Sequence, residues 1–233
     1  MKKNKIIRDI RIANQNLADL GLVKLTFGNA SGKIDSKTFG IKPSGVLFKD
    51  LRDRDIVLMK LNDGEKCGKL NPSVDYPIHL EIYSAFPEVG GIVHTHSTYA
   101  TAFAQANKPI FCLGTTHADY FYGYIPSARE LTSEEIKKNY EKNIGRTIID
   151  TFSKDRLDYQ KVQACLVPGH GSFVWGEDVE KAIENAFVLE EIAKIAFYTL
   201  AINPEIKKLN DTLLDKHFLR KHGPNSYYGQ RLK

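Results

Sequence analysis

The chain is poor in cysteine. Cys67, Cys112 and Cys165 are the three cysteines among 233 residues, odd in number, far apart and nowhere spaced Cys-x-x-Cys. That excludes a disulfide framework and fits a reducing cytoplasm, with Cys112 and Cys165, each inside an apolar run, read as core residues. No stretch approaches the roughly 18 consecutive apolar residues of a membrane-spanning helix. The basic N-terminus lacks the apolar segment of a secretory leader. No internal repeat, low-complexity tract or linker divides the chain, so one domain over residues 1–233 is expected. The net charge of +5 is spread thinly, with small clusters at Lys2-Lys3-Asn4-Lys5 and Arg220-Lys221. These read as solvated faces rather than a nucleic-acid arm, and a mild basic excess suits a phosphorylated small molecule.

What is present is a regular alternation of short elements. Ile6, Ile10, Ala13, Leu17 and Leu20 repeat at helical spacing, with Gly21 as the terminator. Val23, Leu25 and Phe27 alternate with polar residues and predict a strand that ends in a turn, Gly28-Asn29-Ala30-Ser31-Gly32. Thr38 to Lys42 and Ile56 to Leu61 predict two more strands, the second followed by the hairpin turn Asn62-Asp63-Gly64. A helix is predicted from Tyr76 to before Pro87, a strand through His94–His96, and a helix from about Tyr99 capped by Ser97. Ile110 to Leu113 reads as a short strand. Thr132-Ser133-Glu134-Glu135 is a capping-box signal for a helix reaching Phe152. Cys165 to Val167 and Ser172 to Trp175 read as strands. Asp178 caps a long helix that Pro204 stops, and Leu213, Leu214 and Phe218 mark a last one. The hairpin signals exclude a purely parallel sheet. The expected fold is α/β: an αβα sandwich around a central, mostly antiparallel sheet.

The chain's chemistry concentrates at His94-Thr95-His96. Positions i and i+2 of a strand face the same way, so two imidazoles stand side by side. Such a pair either caps a strand as ordinary polar groups or forms part of a metal site. Catalytic zinc usually takes three protein ligands and keeps one position open. His170, between Gly169 and Gly171 after an apolar strand, is either a turn histidine or the third imidazole. Asp75, just before a helix, is either its N-cap or a carboxylate beside the cation. Gly28-Asn29 and Ser44-Gly45 are strand-end turns whose N–H groups can cradle phosphate, with Lys42 adding charge and Ser73 a hydroxyl; plain turn chemistry is the alternative. Asp119, in a polar aromatic run, and Tyr228, on a non-helical tail, are candidate acid/base groups, or a turn acid and a tail anchor.

Taken together these residues resemble the class II aldolase/adducin family, and within it the pentulose-phosphate 4-epimerases. The likeness runs through Thr26-Phe27-Gly28-Asn29-Ala30-Ser31, Ile41-Lys42-Pro43-Ser44-Gly45, Gly90 to Ser97 and Gly114 to Tyr122. It continues through His170-Gly171, Trp175-Gly176, Leu214-Asp215-Lys216-His217, Lys221-His222-Gly223 and Tyr227-Tyr228-Gly229-Gln230. The resemblance implies Zn2+, or another divalent metal, on Asp75, His94, His96 and His170. It implies phosphate binding by Gly28, Asn29, Ser44, Gly45, Ser73 and Val74. It implies Asp119 and Tyr228 as an acid/base pair reaching a neighbour's site in a cyclic homotetramer. The implied reaction interconverts L-ribulose 5-phosphate and D-xylulose 5-phosphate by breaking and re-forming the bond between carbons 3 and 4. One departure stands out: the epimerases carry two serines before the aspartate, and here the pair is Ser73-Val74. Two other readings within the family are a sugar-phosphate aldolase, where a glutamate replaces Asp75, and a non-catalytic adducin-like binding domain.

Overall fold

The protein is described by a computed structural model covering residues 2–229. The first helix, α1 (Lys2–Asp19), buries Ile10, Ala13 and Leu17 as their spacing predicts. It stops at Gly21, which takes the left-handed φ of 71°. Seven strands follow: β1 (Asn29–Lys33), β2 (Thr38–Ile41), β3 (Val57–Lys60), β4 (Lys66–Cys67), β5 (Gly91–Thr95), β6 (Ala164–Val167) and β7 (Gly171–Gly176). They form one sheet in the order β4-β3-β2-β1-β5-β7-β6. Every neighbouring pair is antiparallel, as the hairpin signals required.

Helices cover both faces. In β1, Gly32 faces Ile10 of α1 and Val179 of the long helix α7 (Val179–Ile202). The preceding Ser31 points the other way, to His79 and Tyr83 of α2 (Tyr76–Ala85). Helix α6 (Tyr140–Lys154) packs on α2 so closely that a Cβ at Gly145 would lie 2.7 Å from Glu81 Cβ. Gly40, Gly32, Gly91 and Gly176 are successive partners across β2, β1, β5 and β7. A Cβ at Gly91 would lie 2.4 Å from Val179 Cα, and one at Gly176 2.8 Å from the Ala182 nitrogen. This stripe of missing side chains seats α1 and the start of α7 directly on the sheet. The core around it holds Trp175, Phe39 and Phe173, all fully buried, and Trp175 Nε1 donates to the Tyr159 carbonyl at 2.8 Å.

Four expectations are corrected. Val23–Phe27 is a loop: Leu25 has φ 54°, and Leu25 and Phe27 are exposed. The strand is the supposed turn, Asn29–Lys33. Its small residues fit a slot between two strands with helices on both faces, a demand set by tertiary packing rather than by local alternation. Ile110–Leu113 makes only one bridge, Ile110 to Ile125. The helix from Thr132 keeps its capping box but breaks into α5 (Ser133–Lys137) and α6 at left-handed Asn139. Ser97 stands at the N-cap of α3 (Thr98–Gln105) without a capping bond. Glu190 of α7 accepts instead from the N–H groups of Tyr99 and Ala100, at 2.8 and 2.9 Å. Of the tail, Gly223–Gly229 is non-helical, and Gln230 lies outside the described residues.

Candidate active site

The sheet register assembles the histidines. His94 is the penultimate residue of β5 and His96 follows the strand's end. Thr95 pairs with Ser172 of β7, so the tight β6–β7 turn delivers His170 beside them. His94 Nε2 lies 3.0 Å from His96 Nε2 and 3.1 Å from His170 Nε2. Gly171 makes the convergence possible: a Cβ there would meet the Thr95 carbonyl at 2.5 Å and press on both His94 and His96.

His94 is 1% exposed, and burial pushes its pKa down to about 3 against the pull of Asp75. Its Nδ1–H donates to the Ser172 carbonyl at 3.0 Å, which leaves Nε2 as a bare lone pair. Burial likewise lowers His96 and His170. A tetrahedral zinc with Zn–N bonds of about 2.0–2.1 Å holds its donors roughly 3.3 Å apart. The two separations from His94 come close to this, and all three donor atoms lie within 4.8 Å of one another, an arrangement that could hold a divalent cation.

Asp75 occupies the N-cap position of α2 but makes no capping bond. Its Oδ2 instead accepts from Asn29 Nδ2 at 2.8 Å and Ser73 Oγ at 3.2 Å, and lies 4.0 Å from His94 Nε2. Burial works to raise its pKa, but His94, His79, His170 and Ser73 hold it below the ordinary carboxylate value. Asp75 is therefore an anion poised at the edge of the histidine cluster.

The cluster opens into a cleft of about 370 Å³, walled further by Thr26, Phe27, Gly28, Lys42, Pro43, Ser44, Gly45, Ser73 and Val74. Gly28 has φ 81°, and a Cβ there would lie 2.7 Å from the His94 carbonyl, so only glycine lets this loop lie against β5. Lys42 is 2% exposed; burial brings it down to about 8, and its ammonium lies 4.7 Å from the Phe48 ring centre. The N–H of Ser44 is already used, donating to the Asn71 carbonyl at 3.0 Å, so that residue offers its hydroxyl alone. The cleft is thus lined by a buried lysine and by the hydroxyl residues Thr26, Ser44 and Ser73, a combination that favours phosphate.

Asp119 and Tyr228 share Arg220 as a neighbour, and neither lines this cleft. Asp119 follows the short helix α4 (Thr115–Ala118) and lies against α8 (Asp211–His222). Arg220 clamps it with bonds of 2.8 and 3.1 Å, and His217 Nδ1 adds a third at 2.9 Å. Burial works to raise the Asp119 pKa, but Arg220 and His217 keep it low. Tyr228 folds back so that its ring centre lies 5.2 Å from the Arg220 guanidinium carbon and 4.7 Å from Lys221 Nζ. The sequence assigns His217 no role and reads Arg220-Lys221 as a solvated face; Arg220 instead pairs with Asp119, and the i, i+3 spacing of His217 and Arg220 on a helix puts them on one side.

A seven-stranded antiparallel sheet with helices on both faces, and three histidines that could hold a metal ion in a cleft lined by a buried lysine, describe an α/β protein with a candidate metal site. The chain belongs to the class II aldolase and adducin N-terminal domain family, whose model matches residues 8–197. Solved structures share the fold. An L-fuculose 1-phosphate aldolase superposes with a TM-score of 0.76 at 23% identity, covering 91% of this chain and 94% of that one. YgbL from Klebsiella pneumoniae, described by three alternatives (aldolase, epimerase, decarboxylase), gives 0.74 at 22% identity over 93% and 99%. A sugar-phosphate aldolase from Thermotoga maritima gives 0.65 at 21% identity over 85% and 96%. No helix among the described residues is long and apolar enough to cross a membrane.

Proposed function

We propose that the protein is a cytoplasmic, zinc-dependent L-ribulose-5-phosphate 4-epimerase. The observation that carries this is the meeting of three imidazole Nε2 atoms, two of them 3.0 and 3.1 Å from the third, in a cleft that a buried lysine also lines. His94, His96, His170 and Asp75 would hold the cation, which when bound supplies Lewis acidity for negative charge building on the sugar oxygens. Lys42 and Ser44 grip the phosphate, Ser73 joining them when its hydroxyl turns from Asp75, with the glycine loops at 28 and 45 letting it approach the backbone.

Carbon 4 of a pentulose phosphate bears no acidic hydrogen, so simple deprotonation cannot invert it, whereas breaking and re-forming a carbon–carbon bond can. A base takes the proton of the carbon-4 hydroxyl, and the bond between carbons 3 and 4 breaks. A two-carbon aldehyde phosphate and the enediolate of a three-carbon ketose result. The aldehyde turns over, the bond re-forms on its other face, and an acid returns the proton. The phosphate grip keeps the aldehyde from escaping while it turns. Asp119, held ionised by Arg220, suits the base, and Tyr228 the acid. Both lie outside their own chain's cleft, which fits a homotetramer in which Asp119 and Tyr228 of the partner subunit complete each site.

The test is a panel of pentulose 5-phosphates and ketose 1-phosphates assayed with and without a chelator, with free two-carbon aldehyde phosphate measured in parallel from the former and dihydroxyacetone phosphate from the latter. Interconversion of the two pentulose phosphates that stops on chelation is expected. Net release of either phosphate fragment instead makes the protein an aldolase. Full epimerisation by metal-free protein refutes the mechanism.

A further inference from the structure

The break between α5 and α6 has a use. Two features show that the chain does not treat it as a defect. Asn139 takes the left-handed conformation (φ 58°, ψ 44°), and Asn143 Nδ2 donates to the carbonyls of Glu135 and Lys138, at 3.0 and 2.7 Å, closing the open end of α5. The residue that starts α6 is Tyr140. Its hydroxyl lies 3.3 Å from Nδ1 of His170, and the two ring centres are 6.5 Å apart at 38°.

We propose that Tyr140 is a positioning residue for His170: its hydroxyl oxygen accepts the Nδ1–H of that imidazole and so aims the Nε2 lone pair at the cation. The assignment rests on the cation reading of the cleft. It parallels His94, whose Nδ1–H is held by the Ser172 carbonyl. His170 sits in a turn, where no strand carbonyl performs that task. Tyr140 does not wall the cation cleft. It lines a separate cavity of about 310 Å³ with Val167, Pro168 and Gly169, on the far side of the His170 turn. It therefore reaches the site through His170 rather than through substrate. Partners that fix the tautomer of a metal-binding histidine are typically worth about 10–100-fold in metal affinity.

The experiment measures Zn2+ affinity by chelator competition, and Co2+ binding by its visible absorption, in wild type and Tyr140→Phe. The thermal midpoint of each metal-free protein is recorded alongside. The expected result is wild-type binding, roughly tenfold or more weaker binding by the variant, an altered Co2+ spectrum and an unchanged metal-free midpoint. Equal affinity in a folded variant overturns the role of Tyr140 and leaves the cation site standing. No binding by wild type refutes the cation reading, and the Tyr140 role with it. A second readout needs no variant: the 15N shifts of His170 in Zn2+-loaded wild type. A protonated Nδ1 and an Nε2 shifted by the metal are expected, and a protonated Nε2 overturns the proposal.

Discussion

The two groups of candidate catalytic residues are built in opposite ways. The histidine cluster hangs on the end of β5 and on the β6–β7 turn, toward one side of the sheet, with His94 buried against Phe173 (rings 4.3 Å apart at 11°). Its geometry is set by strand register and by the main core. The Asp119–Tyr228 group hangs on α4, α8 and the tail, and Tyr228 is 59% exposed. Leu214 of α8 packs with Cys112 and Ala118 in a small apolar cluster separate from the main core. Residues 8–197 match the family, so α8 and Tyr228 fall beyond the matched segment. A cation site must be rigid to the ångström, and the strand scaffold supplies that. Under the proposed function, an acid/base pair that serves a neighbouring copy's cleft has to stand at the surface, on an element that a second chain can reach.

The hardest blow to the first group is loss of the cation. His94→Ala removes the central imidazole, and activity is expected to fall by about 10³-fold or more, since Lewis-acid stabilisation is worth several kcal/mol. Elemental analysis of the purified variant, expected to show less than one equivalent of metal, checks the cause. Next comes the second group. Asp119→Asn and Tyr228→Phe are each expected to cost roughly 10²–10⁴-fold in kcat while metal content stays at the wild-type level. Mixing the two classes decides where the pair acts. Hybrids of His94→Ala and Asp119→Asn chains, unfolded and reassembled together, should regain activity because some clefts then receive both intact halves. Hybrids as dead as their parents would place Asp119 on its own chain's chemistry, or on none.

Gly171→Ala sharpens the claim of rigidity. The new Cβ would lie 2.5 Å from the Thr95 carbonyl and 3.3 Å from the His96 ring, so β5 and β7 must part. Overpacking of this kind costs about 1–3 kcal/mol, a fall in thermal midpoint of a few degrees for a domain of this size. Metal affinity should drop along with it. A variant with a lowered midpoint and unchanged metal affinity would mean that the histidines tolerate movement.

Much of the first group was legible in the sequence. A two-residue repeat puts His94 and His96 on one side of an extended chain whatever surrounds it, and Gly169 and Gly171 announced that something approaches His170 closely. The second group showed as residue types without a location, because the contact between Asp119 and Arg220 spans 101 positions. The strand misread at Val23–Phe27 has a related cause. Alternating hydrophobicity signals one buried face, whereas Asn29–Lys33 is covered on both and needs small residues more than apolar ones. Tyr140 and Glu190 stayed hidden because each acts on an element far away in sequence. Asn139 gave no warning of a helix break, since asparagine is an acceptable if indifferent helix residue.

The gentlest probe acts at the phosphate end of the first group, through Lys42. Burial lowers this lysine from the ordinary 10.5 to about 8. Below that value the ammonium is charged and attracts phosphate; above it the charge is lost, unless bound phosphate holds the proton on. KM for a phosphorylated substrate should therefore be flat below about pH 8 and climb above it, while kcat at saturation changes less. The metal-free protein should respond with the opposite sign. Between pH 8 and 10.5 the unfolded chain keeps the Lys42 proton that the folded chain has released, so the stability contribution of this residue rises with pH across that window. Lys42→Met removes both dependences at once. Its KM should be high and insensitive to this titration, and its metal content normal. A wild-type KM that stays level to pH 10 would mean that Lys42 does not contact the phosphate, leaving Ser44, Ser73 and the glycine loops to hold it.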